Sequence, residues 1–217
     1  MTKKEITKRY ALFIIGLFMS AIGVAFTKHG GLGVSPISSI PNVMSIKFEF
    51  FTMGTWLIIW NCILIVGQIV ILRRKFQPIQ LLQIPLSFLF GWFTDFGLWC
   101  VSPIPADIYA VKLIMVILGV AILGLGIALA VIANVIMNSG EAFVKAVADT
   151  THKDFGNIKI AFDIFNVVSS IILSLIFFNL RIVGAREGTV ISALFTGVAV
   201  KLFTKPLKKP LEQVLIK

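Results

Sequence analysis

The sequence predicts an all-α polytopic membrane protein with about six transmembrane helices, arranged as two inverted three-span repeats. Three observations lead there. Hydrophobic residues make up 58% of the 217 and charged residues 14%, with a mean hydropathy of +0.97, whereas a soluble domain carries roughly 25% charged residues. About six runs approach or exceed ~18 predominantly apolar residues, enough to cross ~30 Å of hydrocarbon. Residues 14–68 also recur, weakened, at 117–170: Gly16 aligns with Gly119, Gly23 with Gly126 and Ala25 with Ala128. After a one-residue gap Gly54 aligns with Gly156 and Asn61 with Asp163, and after a further shift Gly91 aligns with Gly197 and Asp95 with Lys201. A unit of three spans must insert its second copy upside down, an architecture common among secondary transporters.

The first span covers about 10–27. A basic start before an apolar run resembles a leader peptide, but the run is long and no small-x-small cleavage site follows it, so a retained span is expected. A Gly-rich connection leads to a short apolar segment, Val34 to Ile46, interrupted by Pro36 and Pro41. It is too short to cross and too apolar for an ordinary loop. The second span, about 53–72, stops at Arg73-Arg74-Lys75, and the third, about 79–101, contains Pro85. Ser102-Pro103-Ile104-Pro105 forms a rigid connection. The fourth span, about 110–135, precedes a second short segment, 136–150. The fifth span is about 157–179 and the weaker sixth about 187–204, with Pro206 and Pro210 expected to mark its end. Repeat 1 thus covers about 10–101 and repeat 2 about 110–204 within a single transmembrane domain, 1–217. Each has a short re-entrant or interfacial helical segment after its first span. Gly16 with Gly23 and Gly119 with Gly126 form small-residue faces on which the first and fourth spans are expected to cross.

The net charge of +10 sits at the ends of apolar runs, at Lys3, Lys4, Lys8 and Arg9, at Arg73, Arg74 and Lys75, and at Lys205, Lys208 and Lys209. That is the pattern of a cytoplasmic membrane boundary rather than a nucleic-acid surface. It puts both termini in the cytoplasm, with Arg181 and Arg186 as exceptions. Cys62 and Cys100 read as small buried hydrophobes, and His29 and His152 lie in connections. No metal-ligand cluster, P-loop, Ser/His/Asp set, HExxH or dinucleotide fingerprint is present, so no cofactor, metal or enzymatic activity is expected.

Three sets of residues carry candidate chemistry. The short segments open with small polar residues, Ser35, Ser38 and Asn42 in the first copy and Asn134, Asn138 and Ser139 in the second. A Ser or Asn at a helix start caps it by accepting a backbone N–H bond, and the dipole there favours an anion. Two such starts entering from opposite faces would enclose a solute; the alternative is a pair of interfacial helices lying flat. Lys159, Asp163 and Asn166 share one stripe of the fifth span, with Asn61 the repeat partner of Asp163. A charge inside a span costs at least ~2.5 kcal/mol, which points to a solute or proton site, or to a local Lys159–Asp163 ion pair with a snorkelling lysine. Glu141 reads either as a coupling carboxylate or as a first-turn residue stabilised by the helix dipole. The substrate set is therefore Ser35, Ser38, Asn42, Asn61, Asn134, Asn138, Ser139 and Asn166, with Glu141 and Asp163 for coupling.

Gly31-Leu32-Gly33-Val34-Ser35-Pro36, followed by Gly54-Thr55 opening the second span, resembles the bacterial YczE/YyaS/YitT group of integral membrane proteins, of the DUF6198 kind. The resemblance covers most of the chain. It implies a bacterial inner-membrane protein of this size and carries no functional residues with it. The expected function is secondary transport of a small polar or anionic solute across the plasma membrane, coupled to a proton or ion. Two alternatives stay open: the substrate-binding membrane subunit of an ATPase-driven vitamin importer, and a non-transporting accessory protein. The expected partners are the lipid bilayer, the solute, and a second copy or a membrane partner subunit.

Overall fold

The structure, a computed structural model, describes residues 2–216. Among them are eight α-helices and no strand: α1 (Lys3–Gly30), α2 (Pro36–Lys47), α3 (Met53–Leu72), α4 (Gln83–Val101), α5 (Tyr109–Ala133), α6 (Ser139–Thr151), α7 (Phe155–Phe177) and α8 (Glu187–Ile216). All but α2 and α6 are long and apolar enough to cross a membrane. Large apolar side chains on these six, among them Ile63, Val66, Trp92, Ile164 and Leu194, stand exposed, which water would disfavour and lipid accepts. The chain is an integral membrane protein.

The centre of the bundle is the crossing of α1 and α5, and glycines determine it. A Cβ on Gly16 would lie 2.7 Å from Gly126 O, and one on Gly23 would lie 2.7 Å from Gly119 O. The backbones therefore touch at two levels two turns apart, and the pairing of early α1 with late α5 makes the helices antiparallel. Tight backbone packing of this kind replaces the hydrophobic drive that lipid cannot supply between helices. The expected crossing of the first and fourth spans is present. Around this pair, α4 lies along α1, with Phe18 edge-on to Phe93 at 5.1 Å, and α8 lies along α5. The short helices pack crosswise, α2 on α7 and α6 on α3.

Both termini lie at one end, called here the terminal end. Lys8 Nζ donates to Val214 O at 2.8 Å, and Arg9 Nη1 donates to Ala133 O, the last carbonyl of α5, at 3.1 Å. Arg9 also pairs with Glu5 at 3.0 Å, and the Thr2 hydroxyl accepts from Glu5 N. These contacts extend α1 a full two turns before the apolar run begins. At the opposite end, His29 Nε2 lies 2.8 Å from Ile104 O in the loop between α4 and α5.

Two boundaries differ from the sequence reading. The third span starts as a 3-10 segment, Pro78–Leu82, and Pro85 falls in the first turn of α4, where a missing N–H has no intrahelical partner to lose. The expected stop at Pro206 does not occur: α8 continues through Pro206 and Pro210 to Ile216. Both prolines stand four residues apart on the exposed side. The tail is held by the Lys8–Val214 bond and by burial of Leu215. Those contacts offset the ~3 kcal/mol that a proline costs inside a helix.

Candidate functional site

The first turns of α2 and α6 meet. Ile37 Cδ1 lies against Gly140, where any added side chain would collide with it. Leu64, Phe143, Val144 and Phe162 form an apolar collar around the junction, with Ile37 packed against it. Neither helix start carries a side-chain cap, although the N-cap residues are Ser35 and Asn138. The expected capping bonds are absent for a local reason in the first copy: the Ser35 hydroxyl donates to Ser38 Oγ at 3.0 Å. α1, α3 and α7 are capped by Thr2, Thr52 and Asp154, while α4 and α5, whose N-cap residues are Leu82 and Ile108, have no side-chain cap either. The two buried starts of α2 and α6 thus present the positive ends of their dipoles without a side-chain cap, although on α2 Pro36 carries no N–H and Ser38 N already donates to Ser35 O at 2.9 Å.

A cleft of about 200 Å³ opens beside this junction, lined by Ala130, Asn134, Val135, Met137, Asn138 and Glu141 among others. Asn134 ends α5 in the left-handed conformation, φ 49°, which asparagine tolerates better than other side chains. Behind the cleft, the Ser139 hydroxyl donates to Asn61 Oδ1 at 2.8 Å, and Gln68 Nε2 donates to Ser139 O at 3.1 Å. Gln68 and Gln83 exchange amide bonds at 3.0 and 3.2 Å, fully buried.

Glu141, Lys159 and Asp163 form a charge group beside this cleft. Lys159 pairs with Asp163 on α7 and acts electrostatically on Glu141. Burial raises the Glu141 pKa and the Lys159 ammonium partly opposes the rise. Lys159 is ion-paired with Asp163, and among the described residues it makes no ion pair with Glu141.

A model of a family of unknown function, DUF6198, matches residues 7–205. The chain belongs to that family. It is also 30% identical over 122 residues to the uncharacterized protein YyaS of Bacillus subtilis (strain 168), covering 56% of this chain and 59% of the relative. The chain thus spans less than two thirds of the length of the curated relative that it matches. No solved structure matches it.

Within this DUF6198 chain the expected site residues divide into two groups. Asn134, Asn138 and Glu141 line the cleft, Lys159 acts on Glu141 and pairs with Asp163, and Ser139 and Asn61, bonded to each other, do not line it. Ser35 and Ser38 lie at the α2 start, bonded to each other. Asn42 lies a turn further from the junction with its amide fully used: Oδ1 accepts from Lys28 Nζ at 2.6 Å, and Nδ2 donates to Gly184 O at 2.6 Å. It ties α1 to the connection between α7 and α8. Asn166 is buried, donates to Phe162 O at 2.7 Å, and has no partner for Oδ1 among the described residues.

Several polar residues escaped the sequence reading. Ser170 and Ser174 continue the buried stripe of Asn166 at four-residue spacing. Their period was legible, but a hydroxyl in an apolar span carries no charge to draw notice. Thr189 and Ser192 on α8 are buried, and their hydroxyls, with that of Thr196, have no partner among the described residues. Gly33, with φ 117°, sits against Thr189, a backbone shape that a side chain would strain. Unpartnered buried polar groups call for an explanation, and water or a ligand is a common one.

Proposed function

We propose that the chain is a secondary transporter of a small anionic or polar solute in the bacterial plasma membrane, built of two inverted three-span repeats. The observation that carries this reading is the convergence of two uncapped helix starts, α2 and α6, inside the bundle. The positive ends of two helix dipoles brought to one point favour an anion. Non-helical backbone at membrane depth is tolerated only against protein or a water-filled cavity, so α2 and α6 read as re-entrant segments. The contacts support the repeat: α1 meets α5, α2 on α7 corresponds to α6 on α3, and α4 on α1 corresponds to α8 on α5.

Glu141 supplies the coupling. It occupies the first turn of α6, so its ionised carboxyl competes with a solute anion for the same helix start. A proton on Glu141 removes that competition, and burial favours the protonated form. Proton and anion would then bind together, with Lys159 and Asp163 fixing the remaining charge. An importer subunit would need a small-residue face open for docking its ATPase module; Ala21 and Ala25, the Ala-x-x-x-Ala pair of the first span, are fully buried, which weighs against that alternative.

The test starts from purified chain and a thermal-shift screen of small metabolites, anions first. A hit should be taken up by proteoliposomes and driven by an inward proton gradient. Asp163→Asn should lower uptake roughly tenfold or more, because it leaves Lys159 without its ion-pair partner beside the coupling carboxyl, while leaving the melting profile cooperative. Normal uptake by a folded D163N protein removes Asp163 from the mechanism. The absence of any saturable ligand across the screen would favour the accessory-protein alternative.

A further inference from the structure

The two copies differ at one interface. In the first, α4 closes on α3: a Cβ on Gly91 would lie 2.7 Å from Gly54 O, so the helices touch backbone to backbone. Asp95 latches this contact across the gap. Its carboxylate accepts from Gly54 N at 2.8 Å and from the Thr52 hydroxyl at 2.6 Å, at the positive end of α3. The counterparts in the second copy are Gly156 on α7 and Gly197 on α8. They do not meet. Gly197 has nothing within 4 Å, Gly156 has only the Asp154 cap near it, and α7 and α8 form no interface comparable to α3 with α4.

The sequence nevertheless provides the parts for closure. The offset that carries Gly54 to Gly156 carries Thr52 to Asp154, and the offset that carries Gly91 to Gly197 carries Asp95 to Lys201. The hydrogen-bonded Thr52–Asp95 pair thus corresponds to Asp154 and Lys201, which are opposite in charge, exposed, and joined in no ion pair among the described residues. We propose that the chain has a second state in which α8 closes on α7 through Gly156 and Gly197, latched by Asp154 and Lys201, while α4 releases from α3. Its geometry rests on the repeat; its purpose, exposing the solute site alternately at the two ends, rests on the transport reading. The unlike latches explain the asymmetry seen. Asp95 makes two charge-assisted bonds at a helix start, whereas an exposed ion pair contributes little. The state with α3 and α4 closed is therefore the more stable one.

The experiment is a distance measurement by electron paramagnetic resonance on full-length protein in lipid, with Cys62 and Cys100 replaced by alanine. Spin labels go at Asn157 and Leu202, which are exposed beside the latch. A minor population at shorter distance is expected. Asp95→Asn should raise its ratio to the major one by roughly tenfold, the equivalent of one charge-assisted bond. Lys201→Glu and Asp154→Asn should each lower it by roughly threefold, and Lys201→Arg should not; Asn keeps the α7 cap, so the D154N result is not helix fraying. A distance distribution unmoved by D95N in monodisperse protein overturns the proposal. So does dipolar coupling in protein labelled at Leu202 alone, which would mean that a second copy covers Gly197. Solute binding with an unvarying distance would refute this closure alone. Two distances in a protein to which no solute of the screen binds would refute transport and leave the closure standing.

Discussion

Burial raises the pKa of the Glu141 carboxyl above its usual 4.5, and the Lys159 ammonium acts in the opposite direction. The sign of the pH dependence follows. A carboxyl whose pKa is higher folded than unfolded binds its proton more tightly in the folded state. Its contribution to stability is full below about 4.5 and is lost as pH rises through the raised value. Glu141→Gln removes that loss. The melting temperature of the variant should exceed that of the wild type by an amount that grows from pH 4.5 towards neutrality, read by thermal denaturation in one detergent. Parallel melting curves across that range would remove Glu141 as a buried titrating group. The sequence pointed to Glu141, Asp163 and Asn61 because a charge or amide in an apolar run is conspicuous. It did not point to Lys28, which looked like a loop residue and instead lies in the last turn of α1, bonded to Asn42 and Ser45. Nor could it show that Asn42 is fully engaged, because its partner Gly184 is remote in the chain.

At the scale of helices, glycine has opposite consequences at two positions that look alike in sequence. A Cβ on Gly23 would lie 2.5 Å from Leu123 N and 2.8 Å from Leu123 Cα, so Gly23→Leu must drive α1 away from α5. Overpacking of this kind costs about 1–3 kcal/mol or more, and because the displaced atoms are backbone on both sides the upper end is expected. Gly197 has open space around it, so Gly197→Leu should leave the melting temperature within about 1 °C of wild type, as surface substitutions typically do. Comparing both variants by thermal denaturation checks the pair, and equal destabilisation would contradict the packing described. The sequence showed both glycines as members of one repeat. It could not tell which pair was in contact, since that depends on how far α8 lies from α7. The same limit applies to α8 itself: Pro206 and Pro210 carried a local stop signal, and only the tertiary contact of the tail with α1 overrode it.

For the molecule as a whole, the membrane spans and the short segments were legible because length and hydropathy are local properties, and the antiparallel α1–α5 pairing followed from small residues at matching positions. Sidedness is a different kind of inference, since charge distribution determines it. The terminal end carries Lys3, Lys4, Lys8 and Arg9 at the start of α1, Lys205, Lys208 and Lys209 in the tail of α8, and Arg73, Arg74 and Lys75 after α3. With six crossings, the connection after α3 falls at the same end as the two termini. The opposite end carries Arg181 and Arg186 between α7 and α8, offset in part by Glu187, which pairs with Arg186 at 3.3 Å. Each lysine or arginine near the anionic inner leaflet contributes ~1 kcal/mol, so the surplus at the terminal end predicts that this end faces the cytoplasm, despite the two exceptions. Single cysteines introduced at Arg74 and Lys208 in a chain lacking Cys62 and Cys100 should resist a membrane-impermeant maleimide in intact cells and react after permeabilisation. A cysteine at Glu49, in the connection between α2 and α3, should react in both. The reverse pattern would invert the molecule, putting the cleft at Asn134 and Glu141 on the outer side. An inward proton gradient would then reach Glu141 from the cleft side first.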